Sequence, residues 1–118
     1  MVYVLLIYAK ESEWVSQSPE ETERVMTGHR ALDEELHAAG KYCGGGGLAL
    51  VNSAKTVRFK GGKATVMDGP YAETKEQFGG FYMVEVDSEE EAIAYAHRIP
   101  GTANRAIEVR EVIHYSPV

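Results

Sequence analysis

The sequence predicts an α+β protein in which two helices cover one face of an antiparallel sheet. Three observations support this fold class. The chain opens with an apolar segment typical of a buried strand, two later segments carry helix-capping signals, and two short strand-like segments flank a Gly-Gly pair. A length of 118 residues predicts one domain that spans residues 1–118.

The first strand and the first helix follow each other at the start of the chain. Residues 2–8 are almost all apolar, as expected of a strand covered on both faces. In SPEETERVMTGHRALDEELHAAG, Ser18 and Glu21 form a capping box around Pro19, and Gly40 predicts the helix end. Steps of three and four define one apolar stripe, which consists of Thr22, Val25, His29, Leu32, Leu36 and Ala39.

The rest of the chain predicts a hairpin, a strand, a short helix and a last strand. TVRFK and KATVM flank Gly61-Gly62, a typical two-residue hairpin turn, and FYMVEV at residues 81–86 predicts a strand. In SEEEAIAYAHRIPG, Ser88 and Glu91 repeat the capping pattern, and Pro100-Gly101 follow the helix. The last strand is RAIEVREVIHY. This order of elements is a ferredoxin-like plan with an inserted β-hairpin.

The apolar strands also predict a homodimer. Two helices cover one sheet face, yet the first strand and GFYMVEV are apolar on both faces. Large exposed apolar patches are rare in monomers, so a second copy of the sheet, related by a two-fold axis, is the simplest cover. Sequence alone does not distinguish which alternate set faces the partner; the candidates for the buried sheet faces are Tyr3, Leu5, Ile7, Tyr82 and Val84.

Composition narrows the classes of partner and compartment. The formal net charge is −6, and no basic block is present to neutralise phosphates, so nucleic acid is not predicted as a partner. The opening segment lacks a basic leader and a small-residue cleavage site, and no apolar run has the length of a membrane helix. Cys43 is the single cysteine. These observations predict a cytoplasmic protein without a membrane partner.

His29 allows two interpretations. Because it lies on the apolar stripe, its side chain should point toward the sheet. It is either a core residue with satisfied ring nitrogens or an acid-base or ligand-binding imidazole in a semi-buried cleft. Gly28 beside it costs about 1 kcal/mol in a helix interior, which fits a close approach of backbone or ligand.

The polar segment DGPYAETKEQFGG also allows two interpretations. Asp68 either forms a structural turn with Gly69 and Pro70 or lies near the sheet edge, where its carboxylate orients an imidazole. Arg58, on the hairpin, either binds an anion or pairs with a carboxylate such as Glu85. The remaining polar residues belong either to a solvated loop or to a site, and they are Glu73, Thr74, Lys75 and Glu76.

Neither a phosphate loop nor a metal site is predicted. The run CGGGG is followed by no Gly-Lys-Ser/Thr sequence and by no helix start, so a β-bulge or close sheet packing is the favoured interpretation. Cys43 has no helix start beside it and no directly adjacent basic residue that would activate its thiol. His29 and His37 are two helical turns apart, too far to share one ion alone. The sequence predicts no metal and no other cofactor.

The segment DGPYAETKEQFGGFYMVEV resembles the DGPF-domain group of the YCII-related family. The similarity continues through YVLLIY, HRALDEELHAAG and TVRFKGGKATVMDGP, and through IPG followed by IEVREV. Tyr71 stands where the group usually has phenylalanine, which keeps the ring and adds a hydroxyl. The resemblance implies a ferredoxin-like fold that forms a dimeric α/β barrel.

The resemblance also implies two alternative functions. A small-molecule acid-base enzyme would use a paired histidine and aspartate, for which the catalytic candidates are His29 and Asp68. Its substrate-binding candidates are Arg58, Tyr71, Lys75 and Glu76. The alternative is a non-catalytic ligand-binding or regulatory module, since members of the group are associated with sigma-factor-like transcription proteins. The expected partners are therefore a second copy of the chain, a small molecule and a transcription-related protein.

Overall fold

A computed structural model describes residues 1–117 and has an α+β architecture, which confirms the predicted class. The strands are β1 (Val2–Ala9), β2 (Tyr42–Gly47), β3 (Lys55–Lys60), β4 (Lys63–Asp68), β5 (Gln77–Glu85) and β6 (Ala106–Glu111). The α-helices are α1 (Glu11–Val15), α2 (Pro19–Ala38) and α3 (Glu89–Arg98), and a 3-10 turn spans Val51–Ser53.

Four of the strands form an antiparallel sheet in the order β2-β5-β1-β6. This order is consistent with the ferredoxin-like plan expected from the sequence of elements. Strands β3 and β4 pair with each other in a separate two-stranded sheet, which we call the arm. The arm turns at Gly61 and Gly62, whose φ angles of 58° and 80° suit glycine in a tight hairpin turn.

Capping side chains determine where the two longer helices begin. Ser18 Oγ accepts a hydrogen bond from the Glu21 N–H at 3.1 Å, and Ser88 Oγ accepts one from the Glu91 N–H at 3.1 Å. Helix α2 ends just before Gly40, whose φ of 69° lies in the left-handed region. Both predicted helices are therefore confirmed. Within residues 1–117, no helix combines the length and apolar character needed to cross a bilayer.

The core lies between one sheet face and helices α2 and α3. Strand register pairs Tyr3 with Val84 and Leu5 with Tyr82, so these four buried side chains share that face. Ile7 lies partly buried against the same cluster. The helices contribute Leu32, Leu36, Ala92 and Ala96. All five residues predicted from sequence as buried-face candidates therefore face the helices.

The opposite sheet face is apolar and has no helix over it. Val4 pairs with Met83 and Leu6 pairs with Phe81, and these four side chains are only partly buried. The sheet is open, with β2 and β6 as its edges, so the structure does not support the closed barrel that the resemblance implied. Pairing with a second copy stays a prediction, and this face is the one that it would cover.

Candidate functional site

A cleft of about 430 Å³ lies between α2 and the sheet. Its volume falls within the usual range of small-molecule sites. Helix α2 contributes Met26 and His29, helix α1 contributes Trp14, and strand β5 contributes Phe81 and Tyr82. The segment after β2 adds Leu48 and Leu50. The cleft is therefore bounded mainly by apolar side chains, with polar groups at a few positions.

Glycines form part of the cleft wall because β2 and β5 approach closely. A Cβ atom on Gly45 would lie 2.9 Å from the Phe81 carbonyl oxygen, and one on Gly80 would lie 2.8 Å from the Gly46 carbonyl oxygen. The strand register shifts between Tyr42 and Gly44, as in a β-bulge. Of the two alternatives predicted for CGGGG, close sheet packing is confirmed, and the register shift is consistent with a bulge. The missing side chains leave space for the cleft.

His29 lines the cleft and forms a hydrogen bond with Tyr82. The His29 Nδ1 and Tyr82 Oη atoms lie 2.6 Å apart, and the two rings stack with an interplanar angle of 19°. Burial lowers the pKa of His29 and raises the pKa of Tyr82. The imidazole is therefore neutral and the phenol protonated at neutral pH. With Nδ1 engaged, Nε2 is the nitrogen available to a ligand.

Two oppositely charged residues act on the His29 imidazole. The Asp33 carboxylate, one helical turn further along α2, raises the pKa of His29, whereas the Arg105 guanidinium lowers it; both effects are smaller than that of burial. Arg105 Nε donates to the Ile99 carbonyl oxygen at 2.9 Å, and Nη1 donates to that of Thr102 at 3.0 Å. Asp33 and Arg105 both line the cleft.

Glu11 connects three segments at the rim of the cleft. Its N–H donates to Gln77 Oε1 at 2.9 Å, and its Oε2 accepts a hydrogen bond from the Val51 N–H at 2.8 Å. Gln77 Nε2 in turn donates to the Thr74 carbonyl oxygen at 2.7 Å. These bonds hold α1, the 3-10 turn and the start of β5 together. The Glu11 carboxylate is therefore engaged in a structural hydrogen bond at the rim of the cleft.

Of the two predicted catalytic residues, only His29 lies in the cleft. Asp68 Oδ1 accepts a hydrogen bond from Lys55 Nζ at 2.5 Å on the arm, and 88% of the Asp68 side chain is exposed. The partner of His29 is Tyr82 instead. The structure thus does not pair His29 with Asp68. The carboxylate that acts on His29 is Asp33, which does so through its charge.

The four predicted substrate-binding residues lie outside the cleft lining. Arg58 and Tyr71 come together, with the guanidinium carbon 4.9 Å from the ring centroid, and both are exposed. Lys75 is exposed, and the Glu76 carbonyl oxygen accepts a 2.5 Å hydrogen bond from Thr74 Oγ1 in the turn before β5. Their roles in binding stay predictions, because none of the four lines the cleft that contains His29 and Arg105.

Sequence reasoning did not identify Tyr82, Arg105 and Asp33 as site residues. One signal was available for Tyr82, because a buried tyrosine needs a partner for its hydroxyl and the chain has a histidine on an apolar helix stripe. No comparable signal marks Arg105. Residues 1–117 contain no group of three or more His, Cys, Asp or Glu side chains arranged to hold a metal ion.

The fold and the cleft place this chain in a general class of protein. The class consists of α+β proteins with a small-molecule-sized cleft between a helix and an antiparallel sheet. The family follows from comparison with known proteins. The model of the YCII-related domain matches residues 1–116, so the chain belongs to the YCII-related family. An uncharacterized protein of Rhizobium meliloti (strain 1021) is 38% identical over an alignment of 119 positions, which covers 99% of this chain and 96% of that relative.

Proposed function

We propose that this protein binds a small, mainly apolar molecule in the cleft, with the His29–Tyr82 pair as a polar contact. The observation that carries this proposal is an imidazole held at Nδ1 by a phenol and bordering a cavity of about 430 Å³. Apolar walls with a few fixed polar groups are typical of small-molecule sites. Trp14, Met26 and Phe81 would supply the apolar contact area.

The tautomer of His29 determines which ligand group it would contact. If the Tyr82 hydroxyl donates to Nδ1, then Nε2 carries the proton and donates to a carbonyl or an anion. If Nδ1 donates to Tyr82, then Nε2 is an acceptor and is able to take a proton from the ligand. Either tautomer gives the neutral ring one directed hydrogen bond toward a bound molecule.

Acid-base catalysis is the second candidate, and the lowered pKa of His29 favours it. A ring that is neutral at pH 7 is available as a general base. The Asp33 carboxylate would then stabilise the imidazolium that forms.

A regulatory module would use the same cleft without turnover and would carry a surface for a transcription-related protein. A turnover assay on each bound compound separates the enzyme from the module.

We also propose that two chains pair through the sheet face that lacks a helix. Covering Val4, Leu6, Phe81 and Met83 would remove a partly exposed apolar surface from water. Two ferredoxin-like sheets facing each other would give the dimeric α/β barrel implied by the resemblance. We further propose that the chain belongs to the DGPF-domain group, on the basis of its Asp68-Gly69-Pro70 segment. We also propose a cytoplasmic location, on the basis of its composition.

A fragment screen followed by NMR tests the binding proposal. Fragments would be selected by thermal shift, and the His29 side-chain resonances would then be followed during titration. We expect His29→Gln to lose binding, whereas the control His97→Gln, at an exposed position on α3, should bind like the wild type. The proposal fails if fragments bind without perturbing His29, or if the folded His29→Gln variant binds them unchanged.

A further inference from the structure

We propose that Arg105 binds a carboxylate group of the molecule in the cleft, so that the ligand is a small apolar carboxylate. This inference rests on the proposed binding function and adds the chemical class of the ligand. Its basis is the position of Arg105 in the cleft wall, the way its guanidinium is held, and the missing counter-charge.

Main-chain carbonyls hold the Arg105 guanidinium in place. Nε and Nη1 donate to the carbonyl oxygens of Ile99 and Thr102, within the turn that follows α3. These bonds orient the planar group and leave Nη2 without a partner among the hydrogen bonds of residues 1–117. A guanidinium oriented before binding loses less conformational freedom when it contacts a carboxylate.

Gly101 allows the Arg105 side chain to lie against this turn. A Cβ atom at position 101 would lie 2.7 Å from Arg105 Cδ, which is closer than the two atoms can approach. The glycine is therefore required for the observed path of the arginine side chain. The space left by Gly101 is a second observation beside the hydrogen bonds, because it admits the same path of the Arg105 side chain.

The Arg105 charge has no carboxylate partner in the described part of the chain, since none of its ion pairs includes this residue. Two acidic residues line the cleft with it. Glu11 accepts a hydrogen bond from the Val51 N–H at the rim, and Asp33 lies on α2 beside His29. A partly buried charge without an oppositely charged partner is costly even when it is hydrogen-bonded, so a ligand carboxylate would supply the missing counter-charge.

The resulting site would hold the ligand at two polar points. Arg105 would bind the carboxylate, the free Nε2 atom of His29 would bind a second polar atom or a proton, and the apolar part would contact Trp14 and Met26. Arg105 lies close enough to His29 to lower its pKa. A bound carboxylate would offset that effect, and so ligand binding should raise the pKa of His29.

Calorimetric titration with matched probes tests this inference. The probes are hexanoate, benzoate and 3-phenylpropanoate, each compared with its neutral primary amide, on the wild type and on Arg105→Gln. We expect the wild type to bind at least one carboxylate about tenfold or more tightly than its amide, as a charge-assisted hydrogen bond predicts. Arg105→Gln should remove this preference. Gly101→Ala should reduce it, because the added methyl group displaces the arginine.

The control variant is Arg30→Gln. It replaces an exposed arginine that follows His29 in helix α2. It should keep the carboxylate preference. The comparison of each acid with its amide on the wild type requires no variant to fold. The His29 side-chain resonances are followed by NMR with the same probes. Amides that bind as tightly as the acids and perturb these resonances would overturn the role of Arg105 and leave the binding function intact. Probes that leave His29 unperturbed in both forms would overturn both proposals.

Discussion

The Nδ1 atom of His29 and the Oη atom of Tyr82 lie 2.6 Å apart and join helix α2 to strand β5. This hydrogen bond explains how a histidine occurs on an apolar helix stripe without leaving both ring nitrogens unpaired. It also fixes the imidazole at the cleft, with one nitrogen remaining for a ligand. The hydrogen bond agrees with the core interpretation at Nδ1, and the role of His29 as a site residue stays a prediction.

The first prediction concerns the energy of this hydrogen bond. Tyr82→Phe should lower the free energy of unfolding by about 1–3 kcal/mol, because the partly buried Nδ1 atom of His29 loses its partner. The double variant His29→Leu/Tyr82→Phe should lose less than the sum of the single losses, since it leaves neither group unpaired. Urea unfolding of all four proteins measures the coupling energy.

The matched control for this cycle is Tyr3→Phe. Tyr3 is buried on the same sheet face, and no hydrogen bond within residues 1–117 uses its hydroxyl. Its replacement should change stability little. If the double variant loses the sum of the two single losses in free energy of unfolding, the hydrogen bond between His29 and Tyr82 contributes no interaction energy.

The second prediction concerns the pH dependence of stability. Burial lowers the pKa of His29 below its ordinary value of 6.5 in the folded chain. At pH values between the lowered pKa of folded His29 and its pKa of about 6.5 in the unfolded chain, the unfolded chain binds more protons than the folded chain. The free energy of unfolding should therefore fall as the pH falls below about 6.5. Urea unfolding between pH 5 and 8 should give a smaller slope for His29→Gln than for the wild type. A slope unchanged from the wild type would contradict this prediction.

The third prediction concerns Thr102, which is 6% exposed and whose buried Oγ1 atom has no hydrogen-bond partner among residues 1–117. Thr102→Val replaces the hydroxyl by a methyl group of similar size and removes the cost of burying an unpaired polar atom. It should raise the free energy of unfolding by about 1 kcal/mol. Thr102→Ser keeps the hydroxyl, loses a methyl group and should lower stability. A destabilised valine variant would indicate that the hydroxyl has a water or ligand partner.

The fourth prediction tests the proposed pairing of two chains. Light scattering at micromolar concentration should give the mass of two chains for the wild type and of one chain for Leu6→Glu, because a charge would be buried between apolar sheets. The matched control is Ile93→Glu, at an exposed position on α3, which should remain paired. A soluble wild-type monomer would exclude this proposal.

Local signals in the sequence were sufficient for most of the fold. Ser18 and Ser88 marked the starts of the longer helices, and Gly61-Gly62 marked the hairpin turn. Helix α1 was missed because it has five residues and no capping side chain. Strand β5 begins at Gln77 rather than at residue 81, since pairing with β1 overrides the low strand propensity of Gly79 and Gly80.

The site was less predictable because its contacts depend on long-range packing. The helical stripe was enough to identify His29, but Tyr82 lies 53 residues away, and its alignment with His29 depends on how α2 packs on the sheet. Asp68 was predicted as the partner from its place in a polar turn, and the arm carries it to Lys55 instead. The orientation of Arg105 depends on a turn whose geometry no local motif specified.

The arm pairs only with itself among the described strands, and its apolar side chains are largely exposed, with Phe59 at 75%. Few buried contacts oppose its local opening, so its amides should exchange with deuterium faster than those of β1. A protease should cut first at the Gly61-Gly62 turn. The two pieces would remain joined, because β5 of one piece lies between β1 and β2 of the other. This turn therefore divides the chain into two complementary fragments that should reassemble when expressed separately.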